Sequence, residues 1–213
     1  MAVRRTVQPP ARTLAADPSV AGMHGHTTTY NSLYSYFQFV SLVAQHAPRE
    51  EDGRWYAPLR LNMTGAERRN LVTVDWVAAA TAQVVFDPRR HGATYHLTPT
   101  RPTASREIEE AASSYFNYYG PTFAGPHALA AADLNELEAL FYHHVEKYEP
   151  YWAEEPTFDC RHTLAALPHL PCPVVDRRLL HRLIDFAVRD RFGKRCKKRT
   201  SRKNTREVIE AIP

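Results

Sequence analysis

The 213 residues include only eight glycines, three cysteines and five lysines. No apolar run approaches the roughly 20 residues that cross a bilayer. Each shortage excludes something. A nucleotide cradle needs a strand, a glycine-rich turn and a helix N-terminus, because only glycine lets the backbone approach a pyrophosphate closely. Gly22 and Gly25 in "GMHGH" are the nearest approach to that turn, and no strand precedes them. A Ser-His-Asp hydrolase would show a nucleophile elbow, and no G-x-S-x-G occurs. Cys160, Cys172 and Cys196 are odd in number and unpatterned, as expected of a protein from a reducing cytoplasm. The opening "MAVRRTVQPPARTLAADPS" carries arginines but no apolar segment, so it does not read as a secretory signal.

What is present suits a folded body. With 44% hydrophobic residues the chain can bury a core, and one domain is expected. Residues 1–26 read as irregular, 27–193 as the domain, and 194–213 as a basic, disordered tail. The tail holds eight Lys and Arg between Lys194 and Arg206, against Glu207 and Glu210. It therefore carries +6 of the total +4, and the rest of the chain is about −2. Such a run is usually solvated; attraction to nucleic acid is the sharper reading, and no aromatics interleave with the charges to support it. Cys160, His162, His169 and Cys172 have zinc-ligand chemistry, but their spacings fit no common finger, so no metal is expected.

The periodicities place the elements. Leu33, Tyr36, Phe37, Val40 and Val43 share one face of a helix over 32–46. "WYAPLRLNM" reads as a strand followed by a loop at "TGAERR". Leu71, Val72 and Val74 then form a short strand that enters a helix capped by Asp75 and bearing Val77, Ala80, Thr81 and Val84. "GATYHLTP" is a further strand. A helix from about Ala104 to Tyr118 is stopped by Gly120-Pro121. Asp133 with Glu136 offers a capping box for the next helix, and Asp176 caps a final one ended by Gly193.

"TTTYNSLYSYFQF", "RLNMTGAERRNLVTVDWVAAA", "HGATYHLTP", "FDCRHTLAALPHLPCPVVD" and "LHRLIDFAVRDRFGK" together resemble the second half of extended short-chain dehydrogenases. Within that family the sequence is most similar to the bacterial thioester reductases and fatty acyl reductases. The resemblance runs from about Thr27 to Lys194. It implies an α/β, helix-rich C-terminal portion: the last sheet strands plus a substrate-binding lobe, without the N-terminal Rossmann half. The family's catalytic tyrosine stands four residues before a lysine that lowers its pKa. Here His143, Asp190, Gly193, Lys194 and Arg199 precede the five lysines at that spacing, so the pair is missing.

The resemblance implies a substrate pocket rather than a catalytic centre. Thr28, Tyr30, Asn31 and Tyr34 resemble the wall that faces the substrate. Arg69 and Asn70 stand where related enzymes hold polar or anionic groups, and an arginine fork suits either. A salt bridge from Arg69 to Glu67 or another acid is the alternative. Tyr95 and His96 lie on the last strand, where either could line the cleft. No catalytic, cofactor-binding or metal residue is expected in this chain, although NAD or NADP would serve a complete family member. Three readings follow: a substrate lobe that is inactive alone, half of a split reductase completed by a separate nucleotide-binding chain, or a binding protein that uses its basic tail on nucleic acid or an acidic partner. The first two leave sheet edges exposed and predict self-association.

Overall fold

The computed structural model describes Thr27 and residues 29–194. The whole of the expected irregular N-terminus, the candidate Thr28 and all but Lys194 of the basic tail lie outside the described residues. The helices are α1 (Leu33–Ala44), α2 (Val74–Val85), α3 (Ser105–Phe116), α4 (Glu136–Val145), α5 (Arg161–Ala166) and α6 (Arg177–Arg189). Six two-residue strands lie between them: β1 (Trp55–Tyr56), β2 (Arg60–Leu61), β3 (Arg68–Arg69), β4 (Thr103–Ala104), β5 (Tyr118–Tyr119) and β6 (Thr122–Phe123). They pair two by two. β1 runs parallel to β5 and β2 parallel to β6, whereas β3 is antiparallel to β4.

Helices α1, α3, α4 and α6 build the main core. Phe37 and Val40 of α1 meet Ile108 and Ala111 of α3, Phe141 and Val145 of α4, and Leu180, Leu183 and Ile184 of α6. Small Ala111, Ala112 and Ala187 let α3 and α6 approach closely, while the aromatic rings of α1 and α4 fill the wider gap. A second, smaller cluster forms around Val72, Trp76, Ala80 and Leu167. It seats the inner face of α2 on the 167–172 loop, where the Trp76 indole N–H donates to the Leu170 carbonyl at 3.0 Å.

Several expected elements change form. The strand expected over residues 55–63 is split, because Pro58 interrupts it and leaves only β1 and β2 paired. Leu71–Thr73 is extended and buried but is not a strand, since no described segment runs beside it to complete a ladder. Thr73, not Asp75, occupies the N-cap of α2: its carbonyl accepts from the Val77 N–H, which places Asp75 inside the first turn. "GATYHLTP" is also not a strand. Its carbonyls at Thr94 and His96 go instead to the side chains of His162 and Thr163.

The α4 capping box is Asn135 with Glu138 rather than Asp133 with Glu136, and Ala131–Asp133 forms a 3-10 turn before it. Left-handed Asn117, not Gly120, ends α3. Asp176 caps α6 as expected, accepting from the Leu179 N–H. Helix α5 was not expected from the sequence: six residues are too few for a periodicity to stand out.

One acid sits badly in the main core. Glu109 of α3 buries Oε1 without a hydrogen-bond partner, beside the joined hydroxyls of Tyr36 and Tyr118, which stand 2.9 Å apart. Burial pushes its carboxyl up to about 7, Glu110 adds to the rise, and Tyr118 and Arg106 oppose it. Between about pH 4.5 and 7 the folded chain keeps a proton that the unfolded chain has lost, so stability falls as pH rises through that window. Glu109→Gln should remove this slope. Above pH 7 the variant should be about 1–2 kcal/mol more stable than the parent, less than the full shift implies because the carboxyl is only half-buried. Thermal melts at pH 4.5 and pH 8 check it; parallel pH profiles for the two proteins would contradict it.

Candidate functional site

Among the described residues, the junction between β3 and α2 carries a dense set of polar contacts. Beside Ala104 and Thr103, Arg68 and Arg69 run as β3, and the chain then continues extended through Asn70 to Thr73. A segment about 85 residues later, 152–156, is fastened along it. The Arg68 backbone N–H and Nε donate to Glu154 at 2.8 and 2.7 Å. Buried Arg69 donates from Nη1 to the Ala153 carbonyl at 2.7 Å, from Nη2 to that of Trp152 at 2.5 Å, and from Nε to Ser105 Oγ at 3.2 Å. The Asn70 N–H donates to Glu155 Oε2 at 2.8 Å, and its Nδ2 to the Pro156 carbonyl at 3.2 Å.

These bonds frame a cleft of about 250 Å³ lined by Arg68, Asn70, Thr98, Glu155, Phe158 and Cys160, together with prolines and threonines of the two loops. Thr98 Oγ1 lies 3.1 Å from Cys160 Sγ on its wall. The cleft brings the Asn70 amide, threonine hydroxyls and the charged side chains of Arg68 and Glu155 beside Phe158. Arg69 does not open into it. Burial pulls its pKa down from the ordinary arginine value, which Glu155, Glu67 and Glu154 counter, and its fork serves the 152–153 carbonyls.

The structure disperses the residues expected to form one pocket. Asn70 lines the cleft. The Tyr30 hydroxyl donates to Asp190 Oδ2 at 2.7 Å, and its ring packs edge-on against Tyr34 and Phe192, so it ties the start of the domain to the end of α6. Tyr34 is fully buried against Phe37. Asn31 is exposed and accepts from the Tyr148 hydroxyl. Tyr95 donates to the Arg90 carbonyl at 2.8 Å, and His96 contacts the Asp159 carbonyl at 2.9 Å. Thr98, Glu155, Phe158 and Cys160 were not expected from the sequence. Their convergence on Asn70 joins segments 28 to 90 residues apart, which no local pattern encodes.

Among the described residues no group of three or more His, Cys, Asp or Glu could hold a metal ion. His162 and His169 are bound to the Thr94 carbonyl and to Gln83, and burial pushes the Cys172 thiol up to about 12, so it stays protonated. The described residues do not fit a nicotinamide nucleotide either, since no described helix follows a strand and a glycine-rich turn. No described helix is long and apolar enough to cross a membrane.

No protein-family profile matches the sequence, and no curated protein does. Solved structures are similar. The terminal R domain from the myxalamid PKS-NRPS biosynthetic pathway superposes with a TM-score of 0.54 at 18% identity, over 80% of this chain and 41% of that one. A thiolation-reductase di-domain from an archaeal non-ribosomal peptide synthetase gives a TM-score of 0.48 at 13% identity, over 81% of this chain and 34% of that one. The chain thus spans less than half the length of either structure. At 18% identity the likeness to the R domain is one of architecture, and most of this chain has the α/β, helix-rich fold of part of that domain.

Proposed function

We propose that residues 27–193 are the substrate-binding part of an NAD(P)-dependent oxidoreductase of the extended short-chain dehydrogenase, thioester reductase-like type. The observation that carries this reading is the likeness to the R domain over four-fifths of this chain but only 41% of that domain. The sequence supports it from the other side, having neither a glycine-rich turn nor a tyrosine four residues before a lysine. Hydride transfer requires the nicotinamide beside the substrate carbonyl and an acid of tuned pKa within reach of its oxygen. The cleft at Asn70 offers a place for a substrate and neither of those. A nucleotide-binding half carried on a separate polypeptide would complete the enzyme.

In this reading Asn70, Thr98 and Arg68 hold the polar part of the substrate, and Phe158 covers its apolar part. The chain alone is expected to bring about no oxidation of NADH or NADPH with short acyl thioesters or aldehydes, once circular dichroism has shown it folded. Sustained turnover by the isolated chain would overturn the proposal.

A further inference from the structure

The charge of this chain is sorted by position. From Asp176 to the C-terminus thirteen Lys and Arg stand against five acids, a net +8, so residues 1–175 carry −4 of the total +4. Part of the excess sits on a rigid element. Helix α6 turns Leu179, Leu180, Leu183, Ile184 and Ala187 into the core, and its opposite side carries Arg178, Arg182, Asp185 and Arg189. At about 100° per residue those four fall within about 60° of arc. Arg189 is held by Asp185 at 2.9 Å. No described acid pairs with exposed Arg178 or Arg182, nor with Arg191 and Lys194 just past Arg189. The run of eight cations from Lys194 to Arg206 begins there.

We infer that this face of α6 and residues 194–206 together bind the phosphate backbone of duplex nucleic acid. An arginine fork matches a phosphate. Arg178 and Arg182 stand about 6 Å apart along the helix axis, a span over which a duplex presents roughly three charges. The side chains that are missing select the duplex. Between Lys194 and Arg206 the only apolar side chain is Cys196 and there is no aromatic, so nothing in this run would stack the bases of a single strand. Nothing in it would anchor a protein interface either, which is built round buried aromatic or apolar side chains. A helix that lies on an anionic membrane inserts its apolar face, and the core already takes that of α6. Contacts to the duplex backbone need none of these and carry no sequence preference. The inference does not rest on the proposed function.

Fluorescence anisotropy of a labelled DNA duplex of about 20 base pairs, titrated with the full chain, tests it. Micromolar binding is expected at about 50 mM salt, alike for two unrelated sequences. The logarithm of the binding constant should fall with that of salt at a slope of about −5 or steeper, each neutralised phosphate adding about 0.9. Replacing both Arg178→Ala and Arg182→Ala should weaken binding about tenfold and make the slope shallower by about 2, with the melting temperature unchanged. Deleting residues 195–213 should abolish binding in this range. No binding at up to about 100 µM protein in about 50 mM salt would overturn the inference. So would a slope untouched by the double variant, which would assign the binding to the tail alone. Tighter binding to a single strand of the same length, to polyglutamate or to phosphatidylserine vesicles would overturn it as well.

Discussion

Replacing Glu138 by alanine is expected to cost about 2–3 kcal/mol, short of the loss from a fully buried ion pair because the Arg60 side chain is 42% exposed and keeps its bond to the Asp133 carbonyl. Its side chain is fully buried and every bond it makes is structural. Oε1 accepts from the Arg60 backbone N–H at 2.9 Å and from Arg60 Nε at 2.7 Å. Oε2 accepts from Arg60 Nη2 at 2.7 Å and from the Asn135 N–H at 2.9 Å. One carboxylate therefore closes the α4 capping box and pins β2 to it across 78 residues. Alanine would leave the Arg60 and Asn135 backbone donors without their acceptor and the Arg60 guanidinium with the Asp133 carbonyl alone. Arg60 and the backbone donors hold the carboxyl down at about 2. Its stabilisation is thus complete above about pH 4.5 and is lost as pH falls from there towards 2. Urea unfolding at pH 7 and pH 3 measures both effects; a loss below about 1 kcal/mol at pH 7 would show that the pair contributes little.

Gly120→Ala is expected to cost about 2–4 kcal/mol. Gly120 has φ +110°, and a Cβ there would lie 2.6 Å from Tyr56 Cε2 and 2.8 Å from the Ala57 carbonyl oxygen. The tyrosine ring could turn aside, but Ala57 is held in register by its N–H bond to the Tyr119 carbonyl, so the clash falls on the β1–β5 pairing itself. Gly125 is the control. Its φ is +99° with open space around it, so Gly125→Ala should show backbone strain alone, about 1 kcal/mol. Equal losses at the two sites in chemical denaturation would mean that contact with β1 is not what demands glycine at 120.

The sequence disclosed the helices far better than the strands, for a physical reason. A helix closes its hydrogen bonds within itself, so the spacing of Phe37 and Val40, or of Leu179 and Leu183, sufficed to locate α1 and α6. A strand needs a neighbour. Leu71–Thr73 and Thr94–Leu97 have strand composition but meet no partner strand among the described residues; the Thr94 and His96 carbonyls turn to the side chains of His162 and Thr163, and the Thr73 carbonyl to the Val77 N–H. Caps were readable where a side chain competes alone, as at Asp176. They misled where two acids stood three apart, because Glu138 rather than Glu136 reached Arg60.

The site was legible in part. Asn70 lines a cleft, whereas Tyr34 is turned into the core and Tyr30 to Asp190, since aromatic rings beside an amphipathic helix serve packing as readily as binding. Phe158 and Cys160 gave no signal, because what brings them to Asn70 is the ladder of bonds from residues 68–70 to 152–156.

Titrating NADPH into the isolated chain in a calorimeter tests the central claim most directly. Pyrophosphate binding depends on a glycine-rich turn at a helix N-terminus, which this sequence lacks. The expected result is no binding heat beyond dilution at sub-millimolar nucleotide. Saturable micromolar binding would mean that a cofactor site exists within these 213 residues, and would contradict the reading of the chain as a substrate-binding part.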